Sequence, residues 1–326
     1  MKNLKKLRTK IDLVDDKIAE LLRTRKNLVK EASGLKEHIF DHEREKEILE
    51  RNQEFKDIFQ LILDHSKLSQ LKKRNNIVLK ELIKKPLIIA GPCSIESKEQ
   101  IEKTCFFLKE RGIKIIRGGI FKPRTSPESF QGLGIEGLTY LREAADKNNQ
   151  SIIVEVMTEK QLELIYDHID IIQVGSRNMS SFGLLKAVAK KTAKDHKPIL
   201  LKRGMNAMVD EFLKAAAYLS EHGNNNILLC LRGIRTFEQI NSELRNTPDL
   251  AAILELKQKT DCKIIFDPSH ATGNRRYVNQ ISKAALQLGA DGLMVEVHPD
   301  PETALCDGQQ SLNFKEFEDL LRVVIN

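Results

Sequence analysis

Four side chains able to hold a metal ion, Cys93, His270, Glu296 and Asp307, lie far apart in the chain. Three of them nonetheless sit at or just past the end of a short apolar run, and the fourth lies in the loop beyond the last run. If those ends meet, a thiolate, an imidazole and two carboxylates make a mixed S/N/O set that suits Mn, Fe, Co or Zn better than Mg. Cations fall at equivalent places: Arg117, Lys122, Arg124, Arg177, Lys202 and Arg232. Arginine presents a planar fork to carboxylate or phosphate, and lysine a point charge. Such a rim expects a small substrate with at least two anionic groups; a solvated rim of unpaired cations is the alternative.

The elements that must position these groups are legible after Pro86, where short apolar runs alternate with amphipathic stretches. The strand-like runs are 87–90, 114–117, 152–156, 169–174, 199–202, 227–231, 264–267 and 292–297. Helical periodicity follows at 100–111, 211–221, 279–288 and 314–324, and is less regular after the second and sixth runs. Near-continuous apolar strands need cover on both faces, which crossover helices supply. Eight such units point to an α/β fold, a (β/α)8 TIM barrel over 87–326, with a doubly wound sheet as runner-up. In a barrel all strand ends meet at one face, so Cys93, Arg117, Glu155, Gln173, Arg177, Lys202, Arg203, Arg232, His270, Glu296 and His298 converge there.

The bulk composition, 41% hydrophobic and 30% charged over 326 residues, is that of a soluble globular chain with one large and one small domain. No stretch approaches the roughly 20 apolar residues of a membrane span, and no apolar run follows the basic first ten residues. Five cysteines without a CxxC argue against a disulfide framework. The cytoplasm is the expected compartment. Of the 53 Lys+Arg and 46 Asp+Glu, 22 and 15 fall in residues 1–85, leaving 31 of each, so the whole excess of +7 is N-terminal. Nucleic acid is one partner that charge could mean; a pocket for a polyanionic metabolite needs the same residues.

In that N-terminal quarter Leu4, Leu7, Ile11, Val14, Ile18, Leu21, Leu28 and Leu35 recur at helical spacing. Asp41 can cap a second helix whose first turn carries Glu43 and Glu45. A third periodic stretch runs through Phe55, Ile58, Phe59, Ile62 and Leu63 toward Leu71. The expected organisation is therefore a small all-α helical domain at 1–72, a linker at 73–86 and the barrel.

The motifs GPCSIES (91–97), RGGIFKPRTSPESFQGLG (117–134), QVGSRNM (173–179), LLKRG (200–204), RGIRTFE (232–238), DPSHATG (267–273), ADGLMVEVHP (290–299) and ALCDGQQS (304–311) resemble the 3-deoxy-D-arabino-heptulosonate 7-phosphate (DAHP) synthase family, in its shorter type I subtype. The resemblance covers essentially all of 87–326. It implies condensation of phosphoenolpyruvate with erythrose 4-phosphate, the first step of the shikimate pathway to aromatic amino acids. It also implies Cys93, His270, Glu296 and Asp307 as ligands of a divalent metal, and Arg117, Lys122, Arg177, Lys202 and Arg232 around phosphoenolpyruvate. Arg124 and Thr125 match the erythrose 4-phosphate site, and KPRTS in place of the KANRSS-like sequence of the octulosonate synthases favours the four-carbon aldose. With the metal as Lewis acid, Lys122 is the implied proton donor to the forming alkoxide. Three positions depart from the family pattern: Leu231 stands for a Glu before Arg232, Glu128 for an aromatic, and Cys306 for a Ser.

LRTKIDLVDDKIAELLRTR, GLK, FDHEREKEILE and FQLILDHSKLSQ resemble the all-helical class of chorismate mutase. Arg8, Arg25, Lys36, Asp41, Glu45, Ser66 and Gln70 match its pocket. That implies rearrangement of chorismate to prephenate, with Arg8 and Arg25 on the carboxylates, Lys36 and Gln70 on the ether oxygen, and Glu45 on the ring hydroxyl. It also implies pairing of the first helix with a second copy, Arg8 serving the partner's pocket, and a homodimer or homotetramer overall. The stretch from Glu45 to Ser66 is shorter than in that class by about three helical turns, so a truncated second helix or a tight turn near 52–56 is expected. A binding-only regulatory domain sensing chorismate or prephenate is the second reading of this segment. A third is a coiled-coil or nucleic-acid tether, against which the lack of aromatic interleaving weighs; neither nucleic acid nor membrane is an expected partner.

Overall fold

Eight parallel strands close on themselves in sequence order: β1 (Leu87–Gly91), β2 (Ile115–Arg117), β3 (Ser151–Val156), β4 (Ile171–Val174), β5 (Ile199–Lys202), β6 (Ile227–Leu231), β7 (Lys263–Phe266) and β8 (Gly292–Glu296), with β8 paired back to β1. The computed structural model describes residues 2–33, 41–70, 82, 86–122, 126, 128–237, 244 and 246–325. The chain divides into two units, Met1–Lys72 and Lys73–Asn326. Each of the eight apolar runs is a strand to within a residue or two. The helices that cover them include α4 (Lys98–Glu110), α5 (Ile135–Lys147), α6 (Glu159–Ile165), α7 (Phe182–Thr192), α8 (Val209–Ser220), α9 (Ala251–Lys259), α10 (Pro268–Thr272), α11 (Val278–Gln287) and α12 (Phe314–Ile325).

The interior of the barrel explains how the fold positions a site. Leu87, Ile89, Ile115, Ile153, Ile171, Leu200, Leu228, Cys230, Ile265 and Met294 form one buried cluster, joined by Leu82. Side chains alternate along a strand, so the residue two positions on points the same way. Two positions after Ile115, Ile153, Ile171, Leu200, Cys230, Ile265 and Met294 stand Arg117, Glu155, Gln173, Lys202, Arg232, Asp267 and Glu296. The inward tier thus changes from hydrocarbon to charge within one pleat, at the C-terminal ends of the strands. Leu231, out of phase with this tier and 1% exposed, belongs to the layer between strands and helices.

In the N-terminal unit, α1 (Lys2–Ser33) runs 32 residues, about 48 Å. Its Leu4, Leu7, Ile11, Val14, Ile18, Leu21 and Leu28 are all half or more exposed. Asp41 caps α2 (His42–Arg51), its side chain accepting from Arg44 N at 3.0 Å. The expected shortening is real: α2 has 10 residues, and a single 3-10 turn at Gln53–Phe55 leads directly into α3 (Lys56–Gln70). Within this unit α3 packs against both α1 and α2.

Candidate active site

His270 is aimed by its own helix start. Asp267 caps α10, accepting from His270 N at 2.9 Å through Oδ1, while its Oδ2 lies 2.8 Å from His270 Nδ1. A carboxylate against Nδ1 fixes the proton there and leaves the Nε2 lone pair facing inward. Nε2 is 3.6 Å from Glu296 Oε1 and 4.0 Å from Asp307 Oδ2. Burial lowers the His270 pKa, against the opposing pull of Asp267. Glu296, fully buried, overcomes that burial through His270 and Arg117, which hold its carboxyl below the usual range. Arg117 Nη1 donates to Glu296 Oε1 at 2.7 Å and Gln310 Nε2 to Oε2 at 2.6 Å, while Ser269 Oγ accepts from its backbone N.

Cys93 follows β1 and is 2% exposed. Its Sγ lies 2.7 Å from Cys306 Sγ, 3.3 Å from Asp307 Oδ2 and 3.1 Å from Lys122 Nζ. Burial, the Cys306 contact and the nearby carboxylates push this thiol well up, so an arriving cation must displace a proton from it. Among the described residues the potential ligands form two overlapping clusters, His270 with Glu296 and Asp307, and Cys93 with Cys306 and Asp307, each within 4.8 Å. Asp307 belongs to both. It is a non-glycine residue at φ 52, held in the left-handed region where the loop turns inward.

A cleft of about 600 Å³, open solvent included, lies beside these potential ligands, lined by Lys122, Glu155, Gly175, Ser176, Arg177, Lys202, Met205, Arg232, His270 and Asp307. Of the five residues expected around phosphoenolpyruvate, Lys122, Arg177, Lys202 and Arg232 therefore share its wall. Arg117 stands behind it, bound to Glu296 and donating to Cys93 O at 3.2 Å. Lys202 Nζ meets Asp267 Oδ2 at 2.5 Å, which ties the cation wall to the histidine support. Arg203 pairs with Asp249 at 2.6 Å and His298 with Glu96 at 3.4 Å, so neither strand-end residue joins the cavity wall. Arg124 and Thr125 lie outside the described residues.

One carboxylate of the cleft wall, Glu155, and one behind it, Asp267, had weaker sequence signals. Glu155 is the one carboxylate among the lining cations besides Asp307, and accepts from Gln173 Nε2 at 2.9 Å. Gly175 makes room for it: a Cβ there would lie 1.9 Å from Glu155 Oε1. Asp267, the hub of His270 and Lys202, could have been found from the Asp-Pro helix start that precedes the histidine.

In the N-terminal unit Arg25 Nη1 donates to Ser66 Oγ, bringing two expected pocket residues from α1 and α3 together. Glu45 does not face an empty pocket. Lys67, 4% exposed, reaches Glu45 Oε2 at 3.2 Å and Asp64 Oδ1 at 3.1 Å. Sequence reasoning missed Lys67, whose position on α3 reads as one more polar interruption. Arg8 is exposed on α1. Lys36 lies outside the described residues, as does the side chain of Gln70.

Comparison with known proteins gives both units relatives. Residues 72–326 match the DAHP synthetase I family, and residues 7–71 match chorismate mutase type II. The phospho-2-dehydro-3-deoxyheptonate aldolase of Thermotoga maritima is 48% identical over 235 residues, 72% of this chain and 68% of that protein. A 2-dehydro-3-deoxyphosphooctonate aldolase of Fusobacterium nucleatum is 30% identical over 260 residues, 74% of this chain and 90% of its own length. The crystal structure of the Thermotoga aldolase superimposes with a TM-score of 0.68, covering 72% of this chain and 67% of that one. A truncated form of the 3-deoxy-D-arabino-heptulosonate 7-phosphate synthase from the same organism gives 0.65 at 44% identity, covering 72% and 83%. The barrel that carries the cavity spans nearly all of the first match, and the chain belongs to the DAHP synthetase I family, with a chorismate mutase type II segment ahead of its barrel.

Proposed function

We propose that the barrel condenses phosphoenolpyruvate with erythrose 4-phosphate and water, giving 3-deoxy-D-arabino-heptulosonate 7-phosphate and phosphate. The observation that carries this reading is the shared wall: Lys122, Arg177, Lys202 and Arg232 line one cavity with His270 and Asp307. Arg177, Lys202 and Arg232 neutralise the carboxylate and phosphate of phosphoenolpyruvate, and Arg117 braces Glu296 from behind. Arg124 and Thr125 hold the phosphate of the aldose. Lys122 delivers a proton to the oxygen that becomes the new hydroxyl. The donor set of Cys93, His270, Glu296 and Asp307 fits Mn, Fe, Co or Zn, and an ion held there supplies Lewis acidity to the aldehyde. The greater identity to the heptonate than to the octonate aldolase supports the four-carbon aldose.

In the N-terminal unit the same residues would clamp chorismate for conversion to prephenate, Arg25 on a carboxylate and Lys67, beside Glu45, adding a cation that the sequence reading lacked. Fixed donors of this kind stabilise the charge that grows on the ether oxygen. The exposed stripe on α1 supports pairing with a second copy of the chain. Free cysteines suit the reducing cytoplasm.

The decisive assay follows phosphate released from phosphoenolpyruvate with erythrose 4-phosphate, with and without EDTA, and with a five-carbon aldose phosphate as the alternative acceptor. Release should require the four-carbon aldose, stop on chelation and return with Mn or Zn. Cys93→Ala should abolish it with the circular-dichroism spectrum unchanged. Full activity after rigorous metal removal would sink the metal's part.

A further inference from the structure

We propose that Cys93 and Cys306 form an oxidative modification site, at which a hydroperoxide joins the two sulfurs and a dithiol separates them again. Their Sγ atoms stand 2.7 Å apart. Non-bonded carbon atoms rest about 3.5–4.0 Å apart, and sulfur is larger; a disulfide closes to about 2.05 Å. The pair stands nearer to bonding distance than to ordinary contact. Asp307, 3.3 Å from Cys93 Sγ, belongs both to the cluster of Cys93 with Cys306 and to the cluster of His270 with Glu296, so the second cluster lies next to the first. Turned toward Cys306 the Cys93 sulfur can be captured; turned toward the other cluster it can ligate.

The site is within reach of a small oxidant although both cysteines are buried. Lys122 and Asp307 line the open cavity, and both touch Cys93 Sγ, at 3.1 and 3.3 Å. One layer of side chain separates the cavity from the sulfur. A peroxide is far smaller than the phosphorylated substrates this cavity is proposed to admit.

The chemistry balances with one hydroperoxide. One sulfur, as thiolate, attacks a peroxide oxygen; the O–O bond breaks, and the departing hydroxide takes a proton to leave as water, giving a sulfenic acid. The second sulfur attacks the first, the S–S bond forms, and the sulfenic oxygen leaves as a second water. Two thiols have given two electrons and two protons to the peroxide. Thiol–disulfide exchange with a dithiol reverses the change. Inactivation by the cross-link rests on Cys93 being a metal ligand, as proposed above; the cross-link itself does not.

The full chain, stripped of metal, is treated with hydrogen peroxide, alkylated and mapped by mass spectrometry. Five free thiols should fall to three, with the peptides containing Cys93 and Cys306 joined. Metal uptake and phosphate release should be lost and then restored by dithiothreitol. Loading with Zn before the peroxide should slow the joining at least tenfold. In Cys306→Ser no joined pair should form, and Cys93 should proceed to the sulfinic acid, which dithiothreitol does not reverse. Five surviving thiols, a joined pair elsewhere, or the same reversibility in both proteins would overturn the proposal. A joined 93–306 pair with undiminished metal uptake would overturn the ligand role of Cys93 alone.

Discussion

At the scale of single residues, the proposed metal cluster depends on a group that would not itself face the ion. Asp267 holds Nδ1 of His270, caps the helix that carries it and pairs with Lys202. Burial would raise the pKa of this carboxyl, but His270 and Lys202 prevail and hold it well below the usual range, so it is charged at neutral pH. Replacing it by Asn keeps the shape and removes the charge. Supporting groups of this kind are typically worth about 10–100-fold in metal affinity. Asp267→Asn should therefore weaken Zn binding by about that factor, read by competition with a chromophoric chelator. An unchanged affinity would mean that the helix start alone aims the histidine. Cys93, His270, Glu296 and most of the cations were legible in the sequence because each lies at or just past a recognisable strand end, and Asp307 because it lies in the loop beyond the last strand. Glu155 was legible as a strand end, whereas Asp267 and Lys67 were not, because a carboxylate just past a strand or a lysine on a helix is ordinarily solvated, and only the third dimension shows what each one touches.

At the scale of elements, the barrel was the most legible part of the chain. Its strands are apolar on both faces, and the charged tier appears two residues beyond the last inward apolar side chain. Less legible were the short α10, too brief to show a helical period, and the irregular connections after β2 and β6. The joints between elements include buried charge, which periodicity cannot reveal. Arg142 on α5 is fully buried and donates to Asp170 Oδ2 at 2.6 Å, ahead of β4, and to Gln150 O at 3.0 Å. Asp170 also accepts from Ile152 N at 2.8 Å, so one carboxylate pins a helix to two strands. Removing one partner of a buried pair leaves the other charge uncompensated, at a cost of about 3–5 kcal/mol. Arg142 keeps a second contact, Asp146 at 2.8 Å, which places Asp170→Ala near the lower end of that range. A urea titration of the barrel transition should show the midpoint falling by the corresponding amount with its slope unchanged.

At the scale of the whole molecule, the question is what covers α1. Leu4, Leu7, Ile11, Val14, Ile18, Leu21 and Leu28 are spaced alternately by three and four, apart from the place that Arg25 takes, which is the repeat of a helix seam. Burying the exposed half of one such side chain is worth about 1 kcal/mol. Two copies together then supply on the order of 14 kcal/mol, against about 4–15 kcal/mol for immobilising two bodies. The margin is small enough that one buried charge decides it. Sedimentation of the full chain should show concentration-dependent association, and Ile11→Asp or Ile18→Asp should shift the dissociation constant upward by at least a hundredfold. Chorismate turnover should fall with the same concentration dependence, because Arg8 is proposed to serve the partner's pocket. Phosphate release by the barrel draws on none of these residues and should persist in the same samples. If both variants sediment as the parent does, the stripe is covered by something other than a second copy, and Arg8 loses its proposed role.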